Sequence, residues 1–153
     1  MKDPATIKML QELGGFILAG AKGSADVKRM TEMICAARGW RWVGVYKLGR
    51  GLLSFIAGSD DEPPCYRQFP ATQGLCGAAV ESRETIVVND VSKDVRYLPT
   101  FHSTRSEIVV PIVSQSDRLV GVITAESEKL RAFTKEDREV LERVASLMGH
   151  AFK

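Results

Sequence analysis

A chain of 153 residues, 44% apolar and 26% charged, can bury one full core without disulfide or metal staples and has the composition of a globular domain. Its net charge of +2 is spread along the chain, which argues against nucleic acid or an anionic membrane as partner, and no apolar run approaches the ~20 residues of a membrane helix. Three cysteines without framework spacing, and a start (Met1-Lys2-Asp3-Pro4) unlike a secretory leader, lead us to expect the reducing cytoplasm.

Ile7, Leu10, Leu13, Phe16, Ile17 and Leu18 recur near the helical period and predict a helix over 5–21, with Gly14-Gly15 as its weak point. Val27, Met30, Met33, Ile34 and Ala37 predict a second over 25–38, with Cys35 in its core and Gly39 as its stop. Strands are expected at 40–48 and 52–57, joined through Gly49-Arg50-Gly51, and an acidic loop spans 58–64. A short edge strand at 66–69 ends at Pro70. Gly74-Leu75-Cys76-Gly77 opens a short helix that closes near Ser82, and a strand follows at 85–88. The long loop 89–105 begins with a turn closed by Asn89-Asp90 side chains and carries Tyr97, Pro99, Phe101 and His102; such loops are usually functional or mobile.

Two β-branched runs, Ser106-Glu107-Ile108-Val109-Val110-Pro111-Ile112-Val113 and Leu119-Val120-Gly121-Val122-Ile123-Thr124-Ala125-Glu126-Ser127, flank the polar connection 114–118 and read as a hairpin. Both are too continuously apolar for a one-sided strand, so they belong at the centre of a sheet covered on both faces. Thr134 caps a last helix running to about residue 151, whose apolar face is Val140, Leu141, Val144, Leu147, Met148 and Ala151. The order of elements implies a single α+β domain over 1–153. A central, mostly antiparallel sheet of about six strands would carry the terminal helices on one face and a loop and short-helix cover on the other.

Glu107 and Glu126 stand out because a carboxylate inside apolar sequence is costly to bury unless a partner or ligand meets it. A ligand's amino group or hydroxyl would satisfy the pair; so would Arg105 or loop amides. Trp42 and Tyr46 project to one side of their strand, and parity places Trp40 there too. They would wall a small-ligand pocket or simply fill core. Cys76, at a Gly-rich helix start, would feel a dipole that favours its thiolate, with Cys65 available to resolve it; buried and inert is the alternative. His102 is expected in solvent, as are Arg96 and Arg105. With two histidines in the chain, no metal site is expected.

The succession Trp42-Val43-Gly44-Val45-Tyr46, Gly74-Leu75-Cys76-Gly77, Asn89-Asp90-Val91, Ser106-Glu107-Ile108-Val109-Val110-Pro111, Gly121-Val122-Ile123 and Phe133-Thr134 with Asp137 resembles a GAF domain over nearly the whole chain. Within that superfamily it looks like the free methionine-(R)-sulfoxide reductases. They share the strand tryptophan and tyrosine, the Gly-x-Cys-Gly turn, the Ser-Glu-Ile strand and an upstream cysteine that Cys65 would match. Those enzymes are expected to carry their catalytic cysteine in the loop before the Ser-Glu-Ile strand, where this chain reads Leu98-Pro99-Thr100-Phe101-His102-Ser103-Thr104-Arg105. Their pair of strand aspartates corresponds to Thr124 and Glu126. The Asn-Lys, Phe, Asp-Glu set of cyclic-nucleotide-binding GAF domains and the Cys-His setting of photoreceptor ones are lacking, and no cofactor is expected.

The resemblance and the candidate residues together imply a small-molecule-binding sensor or regulatory domain. Its ligand would meet Trp42, Tyr46, Cys76, Tyr97, Phe101, Glu107, Thr124 and Glu126, and closure of the 92–105 loop would signal through a homodimer or a partner protein in trans. A thiol-dependent free methionine-(R)-sulfoxide reductase running on Cys76 and Cys65 is the first alternative. A dimerisation module built from the first and last helices is the second.

Overall fold

The computed structural model describes residues 3–152. In chain order it contains α1 (Pro4–Leu18), α2 (Ser24–Arg38), β1 (Trp42–Gly49), β2 (Leu52–Gly58), β3 (Gln68–Pro70), α3 (Gly74–Ser82), β4 (Ile86–Val88), a 3₁₀ turn (Val91–Lys93), β5 (Ser106–Val113), β6 (Leu119–Ser127) and α4 (Lys135–Met148). The six strands form one sheet in the order β3-β2-β1-β6-β5-β4, and every neighbouring pair is antiparallel.

Strand parity divides the interior. Val43, Val45, Ile108, Val110, Ile112, Ile123 and Ala125 face the helices, where Met9, Leu13, Met30, Ile34, Val140, Leu141, Val144 and Met148 cover them. Trp42, Tyr46, Val109 and Val122 face the opposite way, under α3 and the long loop, with Leu75, Cys76, Ala79, Val91 and Phe101. The sheet is thus buried on both sides, as the apolar runs of β5 and β6 imply.

Two element ends have local causes. β3 ends at Pro70, which has no N–H to extend the ladder. α1 stops three residues before its expected end because Gly20 adopts φ +97 and Ala21 donates back to the Phe16 carbonyl, a left-handed termination. The inward face of α1 also differs from expectation. Thr6, Met9 and Leu13 are buried, whereas Ile7 is half-exposed and Leu18 lies in solvent at 90% exposure. Thr6 faces inward because its hydroxyl donates to Asp3 Oδ2 and accepts from Arg38 Nη1, partners that helical periodicity does not reveal.

Trp40 is a second correction. It precedes β1, so strand parity does not govern it, and it packs on the helical side edge-to-face with Phe133 at 5.6 Å. At the other end of the chain, α4 begins with a capping box in which the Thr134 hydroxyl accepts from the Asp137 N–H and Asp137 accepts from the Thr134 N–H. It ends at Met148 rather than near 151. Gly149 there passes so close to Val113 that an added Cβ would lie 2.1 Å from its carbonyl oxygen.

Candidate functional site

Register places the candidate residues in rows on the covered face. Trp42 of β1 pairs with Glu126 of β6, and Glu126 pairs in turn with Glu107 of β5. The next row on that face is Gly44, Thr124 and Val109. The Trp42 indole lies flat in the space left by two glycines. A Cβ on Gly44 would stand 2.0 Å from Trp42 Cη2, and one on Gly58 2.7 Å from Cζ2. Glycine inside a strand marks a close approach here, and Gly58 was not singled out in the sequence. Phe55 stacks beside the indole at 6.1 Å, and Phe101 of the long loop closes over it edge-on at 5.1 Å. Tyr46 continues the aromatic wall between Phe55 and Phe69.

Both carboxylates are fully enclosed, and each has one protein partner. The Thr124 hydroxyl donates to Glu107 Oε2 and the Thr104 hydroxyl to Glu126 Oε1, both at 2.7 Å. Arg105 is exposed and takes no part. Thr104 was not anticipated, because only the folded loop brings it to β6. Among the described residues, three buried polar side-chain atoms lack a hydrogen-bond partner: Trp42 Nε1, Glu126 Oε2 and Arg38 Nε. Two of the three belong to this single row. A buried orphan of this kind costs about 1–3 kcal/mol, so two in one row call for an explanation.

Burial pushes Glu107 well above the usual carboxylate range, and the neighbouring Glu126 charge adds to it. Burial likewise pushes Glu126 up to about 7, against the lowering influence of the nearby Thr100 and Thr104 side chains and the charge of Arg41. The pair therefore holds protons that ordinary carboxylates would have lost. Cys76 lies in the same enclosure, and burial, then Glu107 and Glu126, push its thiol well above the ordinary value. The helix-start effect expected for Cys76 is outweighed: this is a neutral thiol in apolar surroundings. Cys65 is exposed, and its N–H donates to the Thr100 carbonyl at 2.9 Å, so it lies against the cover. Tyr97 is half-buried in the cover, its hydroxyl raised mainly by burial.

The hollow beside this row is lined by Tyr46, Phe69, Cys76, Leu98, Thr100 and Glu107, among others, and its free space of about 20 Å³ is on the order of one water. A larger groove of about 440 Å³ runs on the helical side past Val27, Ile56, Leu119 and Phe152, but it has none of the unpartnered buried groups. His102 is exposed, and Arg96 forks onto Asp94 rather than over the pocket. Among the described residues no group of His, Cys, Asp and Glu side chains is arranged to hold a metal ion.

The profile of the GAF domain family matches residues 27–153. The chain belongs to the GAF domain family. A free methionine-R-sulfoxide reductase of Saccharomyces cerevisiae is 38% identical over 77 residues, which cover 50% of this chain and 43% of that protein. The chain thus spans less than half of that relative's length. GAF domain-containing protein A of Dictyostelium discoideum is 25% identical over 97% of this chain and 93% of its own. Among solved structures, the free methionine-R-sulfoxide reductase of Neisseria meningitidis in complex with its substrate superposes with a TM-score of 0.88 at 27% identity, covering 99% of this chain and 92% of that one. The fold described above is thus shared with that reductase structure along nearly the whole of both chains.

Proposed function

We propose that this GAF domain binds a small amino-acid-like molecule, with the ligand's ammonium group received by Glu107 and Glu126 and its apolar part held against Trp42, Tyr46 and Phe101. The observation that carries this reading is the buried Trp42–Glu126–Glu107 row with its two unpartnered polar atoms. A free amino acid bearing a sulfoxide fits that chemistry and is the substrate class named for the relatives. Binding is the reading rather than turnover, because the enclosed Cys76 is held as a thiol and the 98–105 stretch has no cysteine. Occupancy would then be signalled through a homodimer or a partner protein in the cytoplasm.

Calorimetric titration with both methionine sulfoxide epimers, methionine and other amino acids tests this. An ammonium arriving at a protonated carboxyl pair displaces a proton. Affinity should therefore rise with pH around neutrality, by up to about tenfold per unit, and fall at least tenfold in E126Q. Equal affinity at pH 5.5 and 8, to about a factor of two, would remove the carboxylate pair from the site.

The relatives favour a second reading, thiol-dependent reduction of methionine-(R)-sulfoxide. Cys65, exposed beside Thr100, is then the thiol positioned to react first and Cys76 the one to resolve it. Loss of sulfoxide in the presence of dithiothreitol, abolished by Cys65→Ser or Cys76→Ser, would establish that reading. Binding without consumption would leave the sensor.

A further inference from the structure

The carboxylate row is buried, and the loop that carries Phe101 covers it at the Trp42 end. One side chain outside the site lies against Phe101 and is itself anchored by two neighbouring segments. Arg41 immediately precedes β1, and its three guanidinium nitrogens each find a different carboxylate. Nη1 donates to Asp60 at 2.8 Å, Nη2 to Glu62 at 3.2 Å and Nε to Glu128 at 3.4 Å. Asp60 and Glu62 belong to the β2–β3 loop, and Glu128 follows β6. The same guanidinium lies 5.3 Å from the centroid of the Phe101 ring, which in turn seats edge-on against Trp42.

We propose that Arg41 is a positioning residue that latches the site: it pins Phe101 over Trp42 and ties two flanking loops around it, so that ligand access waits on this cluster opening. The inference rests on the ligand-binding reading for its purpose, but the opening itself is measurable without any ligand. The remaining ties of the cover are of another kind. Cys65 holds Thr100 backbone to backbone, and Thr104 bonds Glu126 within the site. The Arg41 cluster faces solvent, with Arg41 about one-third exposed and its carboxylate partners 40–57% exposed. It joins Phe101 to segments outside the loop and is a tie that salt can reach.

Acrylamide quenching of Trp42, in a Trp40→Phe background so that one indole reports, measures the opening. R41Q should raise the quenching constant roughly threefold or more, and R41K, which keeps the charge but not the fork, should recover part of the loss. About 0.5 M sodium chloride, where the screening length is roughly 4 Å, should move the Arg41 protein in the same direction and leave R41Q unchanged. Amide exchange should quicken over 97–104 but not in α1 or α4; quickening everywhere would mean general destabilisation and would overturn the latch. Equal quenching in R41Q and its parent would overturn it as well. Stopped-flow binding of methionine-(R)-sulfoxide then separates the two ideas. Faster association in R41Q supports both. No binding by either protein, with quenching still raised by R41Q, removes the ligand reading and leaves the latch standing.

Discussion

Glu126 has no access to solvent, one oxygen held by Thr104 and the other without a partner. Its carboxyl ionises near 4.5 when unburied and near 7 in the fold, so between those values the folded chain keeps a proton that the unfolded chain releases. The stability associated with that proton is complete below the lower value and is lost as pH rises through the upper one. Glutamine has no proton to lose and can still accept from Thr104. E126Q should therefore gain on the parent by about 2–3 kcal/mol in urea melts between pH 5 and pH 8. A difference that stays constant with pH would contradict the burial argument. Gly44 makes a sharper steric case. With an added methyl carbon 2.0 Å from the Trp42 ring, Gly44→Ala must displace the indole, at about 2–3 kcal/mol, and change the near-ultraviolet circular dichroism. Unchanged tryptophan bands would place the ring elsewhere.

Between elements, the tie that matters most is Arg38, the last residue of α2. Its guanidinium bonds Thr6 of α1 and both Glu136 and Asp137 of α4, the last at 2.6 Å. Burial alone would raise Asp137, but the Arg38 and Thr134 bonds prevail and hold it below the usual carboxylate range. The stability this confers is present above the unfolded value and lost as pH falls through the folded one. Arg38→Met should cost about 2–3 kcal/mol at pH 7 and distinctly less at pH 3, read by thermal melts at the two values. How far such features can be foreseen depends on how local their causes are. The strands, α2, α3 and the caps at Gly39 and Thr134 follow from period and turn chemistry held in a few adjacent residues. The placement of Trp42, Tyr46, Glu107, Thr124 and Glu126 on one face follows from counting by twos. Thr6 turning inward, Trp40 crossing to the helical side, Thr104 reaching Glu126 and Arg41 spanning three segments all depend on partners distant in the chain. No window of sequence contains them.

At the scale of the molecule, the sheet separates a helical layer, which uses its apolar faces up, from a cover that encloses polar groups. The inward face of α1 packs on α2 and α4, and α4 in turn lies against β5 and β6, leaving Ile7 and Leu18 as the exposed large apolar residues of α1. The proposed homodimer would draw on that remainder. Leu18→Glu, at a site where folding stability should change by no more than about 0.5 kcal/mol, should then shift sedimentation toward the monomer. An unchanged profile would exclude Leu18 from the contact. The alternation of β6 has a wider consequence. Ile123 and Ala125 answer to the helices, while Thr124 and Glu126, interleaved between them, answer to whatever the cover admits. The two sets share a backbone but touch different neighbours. An acid exchanged for an alcohol on one side is therefore barely felt on the other, and one scaffold can change what it recognises, or cease to react with it, without relearning how to fold.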